Sequence, residues 1–146
     1  MATAPLERLS ASPLSVPTDR HESDGTYAWD KTTIVVVHAR AGGETGIGWT
    51  YGHASIAALI EDELARALGA VDVMDTASAF VAMNRAVRNL GRRGLAREAI
   101  SAIDIAFWDL KAKLLDLSLS TLLGPVRHSV EIYGSGGFTS YDDGAR

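Results

Sequence analysis

The chain contains no cysteine, which excludes a disulfide framework, a thiolate zinc site and a cysteine nucleophile. It also lacks an excess of basic residues. The net charge of −4 argues against nucleic acid as a partner, because phosphate binding needs a basic face. Long apolar runs are missing too, both at Met1–Ser10, where a secretory signal would lie, and further along the chain. We therefore expect a cytoplasmic protein without a membrane partner.

The composition is that of one folded domain. With 146 residues, of which 47% are hydrophobic and 22% charged, the chain is long enough to bury a core. Its first third combines β-branched runs with turn residues, which favours strands. The predicted elements are a short strand near Leu6–Ala11, with Pro13 and Pro17 limiting its extent, a polar loop over Thr18–Trp29, a strand over Thr32–Arg40 buried on nearly both faces, a turn at Ala41–Thr45 and a returning strand over Gly46–Tyr51.

After the predicted strands, apolar residues recur at the spacing of helices. Ser55 is the predicted N-cap of a first helix, whose apolar positions run to Leu68 before Gly69 ends it. Asp75 is the predicted cap of a second helix. A third helix over Leu95–Leu117 is apolar nearly all round in its first half, which predicts burial between two layers. The apolar stripes are Phe80, Met83, Val87 and Leu90 on the second helix, and Ile100, Ile103, Phe107, Leu110, Leu114 and Leu117 on the third.

The order of strands first and helices second indicates an α+β fold with an antiparallel sheet. Near the end of the chain, His128–Tyr133 predicts a further short strand. The glycine-rich Gly134–Gly137 that follows suits either an anion or a plain structural connection, and the sequence leaves both open. Ser140, Asp142 and Asp143 predict the cap of another helix.

Three charged motifs on the helices favour structural roles. Lys111 and Lys113 point in different directions on a helix and lie near its C-terminus, where the helix dipole favours cations. Asp104 and Asp109 do not face each other, so pairing with an arginine, a backbone amide or Lys113 is the simpler interpretation than acid–base chemistry. The arginines Arg85, Arg88, Arg92, Arg93 and Arg97 cluster around a helix end, which favours a structural or interface role over phosphate binding.

The candidate ligand contacts are aromatic residues beside the predicted loops. Tyr27, Trp29, Tyr51 and His53 flank two openings of the sheet, where exposed aromatics contact ligands or simply pack. The four histidines are scattered, and no cluster of carboxylates offers oxygen ligands for magnesium. We therefore predict no metal ligand in this chain. The glycines between the first two long strands lie in a predicted hairpin. A nucleotide-binding loop would lie between a strand and a helix, so these glycines do not indicate one.

One long motif resembles a known family. The helix Ala99–Lys113, reading AISAIDIAFWDLKAK, is followed by Leu122–Leu123–Gly124 and by Val130–Tyr133, and Gly46–Ile47–Gly48 lies in the returning strand. These residues resemble the N-terminal capping domain in the mandelate racemase and muconate lactonising branch of the enolase superfamily. The resemblance implies a three-stranded antiparallel sheet with a helical bundle over residues 1–125, and the first strand of a β/α barrel over residues 126–146. It implies that most of the barrel is missing, as in a truncated chain.

The resemblance also implies a function. In that family the capping domain closes over the barrel, and its loops, here Thr18–Trp29 and Tyr51–Ser55, shape substrate specificity. The barrel binds Mg²⁺ and carries the base that removes a proton α to a carboxylate. This chain alone is then an inactive fragment of a racemase, cycloisomerase or sugar-acid dehydratase. The alternative is a free-standing α+β interaction module. Either way we expect self-association, with the unpaired strand around Val130 inviting a second chain.

Overall fold

The fold is a three-stranded sheet with helices packed on one face, as the sequence predicts. A computed structural model describes residues 3–134. The antiparallel strands lie in the order β1 (Arg8–Ser23), β2 (Ala28–Ala41) and β3 (Glu44–Tyr51). The helices are α1 (Ser55–Leu59), a π-helical segment (Ile60–Leu64), α2 (Ala65–Leu68), α3 (Thr76–Ala86), a 3₁₀ turn (Val87–Asn89), α4 (Leu95–Leu114) and α5 (Leu119–Leu123). The division between residues 1–125 and 126–146 stays a prediction.

The first hairpin is longer than predicted. The prediction of a loop over Thr18–Trp29 is wrong, because β1 runs to Ser23 and β2 begins at Ala28, with an irregular register between Pro17 and Glu22. Pro13 and Pro17 do not end β1, since it is an edge strand, where a missing N–H costs no ladder hydrogen bond. The two strands therefore extend as a ribbon well beyond the end of β3.

The central strand, β2, is buried on one face only. The prediction that it is buried on both faces, or nearly so, is wrong. Val35, Val37 and Ala39 are fully buried under the helices. The residues that alternate with them at the end of the strand, His38 and Arg40, are exposed. A continuous β-branched run hides this alternation from a reading of the sequence. The predicted turn after β2 is confirmed: Gly42 and Gly43 both have positive φ, as a two-residue hairpin turn requires.

The first helix differs from its prediction in two details. The N-cap is Ala54, not Ser55, because the Ser55 hydroxyl lies 2.9 Å from His53 Nδ1 and caps no helical N–H. The helix also passes through the π-helical segment, which the apolar spacing does not predict. Its end at Gly69, with φ of 52°, is confirmed.

The second and third helices follow the sequence closely. Asp75 caps α3 by accepting a hydrogen bond from the Ser78 N–H, as predicted. Helix α4 ends at Leu114, three residues before its predicted end. Asp116 takes a positive φ there, which breaks the helix. Leu117 is consequently exposed, while Ile100, Ile103, Phe107 and Leu110 form the buried seam of the core.

Two glycines bring α4 unusually close to the sheet. A Cβ at Gly48 would overlap the carbonyl oxygen of Ala102, and one at Gly46 would overlap that of Ala106. The facing alanines are fully buried. The backbone of β3 therefore packs directly on the backbone of α4.

Both edges of the sheet are capped by carboxylates from the helices. On β3, the Ile47 N–H donates to Asp109 at 2.8 Å, and Lys113 donates to the Thr45 carbonyl at 2.8 Å. On β1, the Ala11 N–H donates to Glu61 Oε1 at 3.3 Å, and Glu61 lies in the π-helical segment. Edge N–H groups that are satisfied in this way are not free to pair with another strand.

The end of the described chain does not form the predicted strand. His128–Tyr133 has no regular structure, and Val126, Val130, Ile132 and Tyr133 are exposed. A strand forms only beside another strand, and within residues 3–134 none lies alongside this segment. Ser140, Asp142, Asp143 and all of the predicted glycine loop except Gly134 lie outside the described residues.

Candidate functional site

The two loops that carry the candidate ligand contacts lie at the same end of the sheet. The β1–β2 turn spans residues 24–27, and the connection from β3 to α1 spans residues 52–54. Because neighbouring strands run in opposite directions, β1 and β3 end on the same side, and both loops lie at that end of the sheet. Because β3 ends opposite Ile34, the β1–β2 ribbon continues past it.

The ribbon tip is held by one aspartate. Asp24 Oδ1 accepts hydrogen bonds from the Thr26 hydroxyl, the Thr26 N–H and the Tyr27 N–H at 2.7–2.8 Å. These bonds, with that from the Thr26 hydroxyl strongest, lower the pKa of the Asp24 carboxyl. The Asp24 carboxylate is therefore kept charged, and it fixes the turn that presents Tyr27.

Tyr27 and Trp29 form a stacked pair on this ribbon. Their ring centroids lie 6.3 Å apart with an interplanar angle of 17°. The Trp29 indole N–H donates to Glu22 Oε2 at 2.6 Å across the two strands. Tyr27 is 71% exposed, so the pair offers a flat apolar surface with a carboxylate at its edge. No local pattern in the sequence marks Glu22 as part of this pair.

Tyr51 and His53 belong to a different environment. Tyr51 packs edge-to-face on Trp49, with ring centroids 5.4 Å apart, on the face of the sheet that the helices leave uncovered. His53 lies in the next loop, and its imidazole nitrogen Nδ1 contacts the Ser55 hydroxyl. Tyr51 lies opposite Ile34, five residues from Trp29 along β2, which is about 17 Å. The structure therefore separates the four predicted residues into two groups.

Glu98 lies beneath the second loop, and no local pattern in the sequence marks it either. Its Oε2 atom is buried without a hydrogen-bond partner among the described residues. A Cβ at Gly52 would lie 2.6 Å from this oxygen and 2.5 Å from Ile56 Cδ1. This close approach and the φ of 154° both favour glycine at position 52, and the loop carrying His53 rests directly on the start of α4. Tertiary contact alone reveals this, since Glu98 and Gly52 are far apart in sequence.

The charged helix motifs have the structural roles that the sequence favours. Asp109 forms an ion pair with Lys113 at 2.8 Å, as predicted. The two lysines are not merely solvated, however. Lys111 donates to the Met74 carbonyl and Lys113 to the Thr45 carbonyl, so both tie α4 to other elements. In the arginine cluster, Arg97 stacks over Phe80 at 5.2 Å from the ring centroid.

Asp104, a half-buried residue of α4, has a raised pKa. Burial raises its pKa above the ordinary value of 3.8, and the attraction of Arg97 opposes that shift. A carboxyl with a raised pKa in the folded state binds more protons than in the unfolded state. Its contribution to stability is therefore favourable at low pH and is lost as the pH rises through the folded-state pKa.

We therefore expect Asp104→Asn to stabilise the domain at neutral pH, because asparagine removes the partly buried charge. Urea unfolding of both proteins at pH 7 should show a higher midpoint for the variant. The gain should disappear below pH 3.8, where wild-type Asp104 is protonated as well. An equal or lower midpoint at pH 7 would mean that the attraction of Arg97 outweighs the cost of burial.

Within residues 3–134, no three His, Asp or Glu side chains lie close enough together to hold a metal ion. The four histidines are spread over β1, β2, the loop after β3 and the C-terminal segment. In the same range no helix is long and apolar enough to cross a membrane.

Comparison with known proteins identifies the family. Residues 17–124 match the family described as mandelate racemase / muconate lactonizing enzyme, N-terminal domain. The L-talarate/galactarate dehydratase of Salmonella typhimurium is 44% identical over 100 residues, which are 68% of this chain and 22% of that enzyme.

Two solved structures share the fold. The crystal structure of a mandelate racemase/muconate lactonizing enzyme-like protein from Rubrobacter xylanophilus matches with a TM-score of 0.89 and 47% identity, over 94% of this chain and 38% of that one. An enolase from Bradyrhizobium complexed with magnesium and mandelic acid matches with a TM-score of 0.72 and 26% identity, over 85% of this chain and 36% of that one. The chain thus spans well under half the length of these relatives. It belongs to the N-terminal domain family of the mandelate racemase and muconate lactonizing enzymes, in the enolase superfamily.

Proposed function

We propose that this chain is the substrate-capping domain of a Mg²⁺-dependent enzyme that removes a proton α to a carboxylate, of the racemase, cycloisomerase or sugar-acid dehydratase type. The observation that carries the proposal is the pair of loops at one end of the sheet, on a fold shared with enzymes of that family. The Bradyrhizobium structure holds both magnesium and a carboxylate ligand, which supports the metal and the substrate class.

In this proposal the chain contributes binding and water exclusion. Tyr27 and Trp29 present a flat apolar surface that would cover the part of the substrate remote from the reacting carbon. His53 contributes from the second loop. Tyr51 is left out of this set because its ring packs on Trp49 on the uncovered face. Closure of these two loops would then shape specificity without supplying the base.

The described residues do not fit a magnesium site, since no group of three carboxylates or histidines converges among residues 3–134. We therefore assign no catalytic step to this chain. The metal ligands and the base would come from a barrel domain, which is the proposed partner. A homo-oligomer is also part of this proposal.

The chain by itself should show no racemase, cycloisomerase or dehydratase activity, and should bind Mg²⁺ no better than a generic acidic protein. Isothermal titration calorimetry with MgCl₂ checks the second point, with the chain folded as judged by circular dichroism. Tight binding with a stoichiometry of one would contradict this expectation and would place a metal site within the chain.

A chimera tests the capping role directly. Residues 1–124 of this chain would replace the matching region of the Salmonella typhimurium dehydratase, which is 44% identical over the aligned residues. We expect Mg²⁺-dependent dehydration of galactarate to persist at a reduced rate. Trp29→Ala in the chimera should raise KM more than it lowers kcat, because the lost contact lies away from the reacting carbon. Val81→Ala, an exposed position on α3, is the matched control.

A chimera that folds and yet is inactive would count against the capping role. The alternative function, a free-standing interaction module, would then gain weight. The reading frame beyond Arg146 also separates the two proposals. A continuation with a Lys-x-Lys strand and spaced Asp and Glu residues belongs to the enzyme, whereas a stop codon favours the module.

A further inference from the structure

The second loop, residues 52–54 between β3 and α1, carries a histidine whose contacts fix its protonation state. His53 Nδ1 accepts a hydrogen bond from the Ser55 N–H at 3.2 Å, and the Ser55 hydroxyl lies 2.9 Å from the same nitrogen. A backbone N–H can only donate, so Nδ1 must keep its lone pair. The imidazole is therefore neutral, with its single ring proton on Nε2.

This contact takes the place of an ordinary cap on α1. The N-cap residue, Ala54, makes no side-chain hydrogen bond, and Ser55 is the first residue of the helix. The first N–H groups of a helix have no partner within the helix itself, and the imidazole of His53 supplies a partner for one of them. A side chain that can change its charge therefore holds the second loop on α1.

Protonation of His53 removes this link. An imidazolium donates from both ring nitrogens and accepts at neither, so the Ser55 N–H loses its acceptor. The Ser55 hydroxyl can turn to accept from the ring, but the backbone N–H cannot. Histidine is the side chain whose charge ordinarily changes between about pH 5 and 8, so the link responds to mild acid.

Glu98 offers the charged imidazole a new partner. Its Oε2 atom has no hydrogen-bond partner among residues 3–134 and lies against Gly52, the residue before His53. Consecutive Cα atoms are about 3.8 Å apart, so an imidazole that leaves Ser55 stays within a side chain's length of this oxygen. A hydrogen bond between an imidazolium and a carboxylate is stronger than one between neutral groups.

The other charged groups around the loop come from α4 and β2. Arg97, beside Glu98 on α4, stacks on an aromatic ring of α3. On β2, the loop bonds to the Thr33 carbonyl through the Gly52 N–H, and Lys31, two residues along the same face, is exposed. Helix α1 itself carries no charged residue. Glu98 therefore favours the imidazolium, whereas Lys31 and Arg97 oppose it.

We propose that His53 holds the second loop on α1 as a neutral imidazole, presents its Nε2–H as a hydrogen-bond donor to the substrate, and releases the loop to Glu98 when it is protonated. The donor suits an acceptor oxygen, of a hydroxyl or a carboxylate, in the part of the substrate away from the reacting carbon. The role toward the substrate rests on the proposed function, whereas the link to α1 and its loss in acid do not.

Amide hydrogen exchange in the full 146-residue chain, followed by NMR, tests the link. After correction for the intrinsic pH dependence of exchange, protection of the Ser55 N–H should be about fivefold lower at pH 5 than at pH 8, roughly the 1 kcal/mol that a helix cap contributes. His53→Ala should lack this protection at both pH values. His53→Asn should keep it at both, because an asparagine oxygen accepts from the N–H two residues on and does not titrate.

Glu98→Gln tests the acid state. Without the carboxylate, the NMR titration of His53 should move to lower pH, whereas His21 and His38, which lie in the strands, should titrate as before. Circular dichroism checks that every variant folds. Equal protection of Ser55 at pH 5 and pH 8, a loss in acid that His53→Asn shares, or a His53 titration that ignores Glu98→Gln overturns the proposal.

The chimera with the Salmonella typhimurium dehydratase tests the donor. His53→Ala and His53→Asn should both raise KM for galactarate about fivefold, as expected for one lost hydrogen bond, with kcat little changed. Asparagine keeps the loop on α1 but is too short to reach the same acceptor. A higher KM in His53→Ala alone would mean that His53 only supports the loop, and would overturn the donor role. An inactive chimera would count against the capping function instead, and the exchange measurements would still decide the link to α1.

Discussion

Replacing Phe107 by alanine will lower the free energy of unfolding by about 3–5 kcal/mol. The Phe107 ring is 1% exposed and is among the largest fully buried side chains of the core. It lies on the seam of α4 that packs on the sheet, where the close approach of helix and strand leaves little freedom to collapse into a cavity. Urea unfolding followed by circular dichroism measures the loss.

The same helix offers a second core position and a control. Ile103→Ala, at a residue with no exposed surface, should cost about 2–5 kcal/mol. Ile105→Ala removes the same atoms from a side chain that is 41% exposed and should cost far less. Losses below about 1 kcal/mol at both core positions would mean that α4 is not the central element of the core.

Local chemistry accounts for the parts of the fold that the sequence predicts well. The Asp75 cap, the Gly69 stop and the Gly42–Gly43 turn each depend on residues within a few positions of one another. The family resemblance rests on the α4 motif Ala99–Lys113, whose helical spacing extends over about four turns. Local patterns of this kind do not depend on tertiary contacts, and the structure has each of these elements at the predicted position.

Tertiary context decides the elements that the sequence predicts wrongly. Pro13 and Pro17 disfavour a strand in the sequence, but an edge strand tolerates proline, and β1 is an edge strand. The segment His128–Tyr133 has the alternation of a strand but no strand beside it in the described chain. In both cases the local pattern is genuine, and a neighbour, present or absent, determines the outcome.

The candidate ligand contacts stay a prediction, and the sequence shows where these residues lie along the chain but not what they touch. The aromatic residues beside the two loops are visible in the sequence, but Glu22 and Glu98 take part only through contacts across strands or between distant elements. For Tyr51 a ligand contact stays a prediction, and the structure adds that its ring packs on Trp49, on the face of the sheet that the helices leave uncovered.

The close contact between β3 and α4 leaves no room for a side chain at Gly48. Gly48→Ala will destabilise the domain by about 3 kcal/mol or more, at or above the upper end of the usual range for overpacking. The added Cβ would overlap the Ala102 carbonyl oxygen and lie 2.6 Å from the Ala106 nitrogen. Both are backbone atoms in the middle of a helix, so no side-chain rotation relieves the contact, and α4 must move away from the sheet.

Gly134→Ala is the matched control, because a Cβ there meets no atom within 4 Å and should leave the unfolding midpoint unchanged. Displacement of α4 also predicts which other contacts fail. The bond from the Ile47 N–H to Asp109 and that from Lys113 to the Thr45 carbonyl span the same two elements. Hydrogen exchange at Ile47 should therefore accelerate in Gly48→Ala, while exchange in the β1–β2 ladder changes less. A variant with near wild-type stability and an unchanged Ile47 exchange rate would show that β3 and α4 have room to separate.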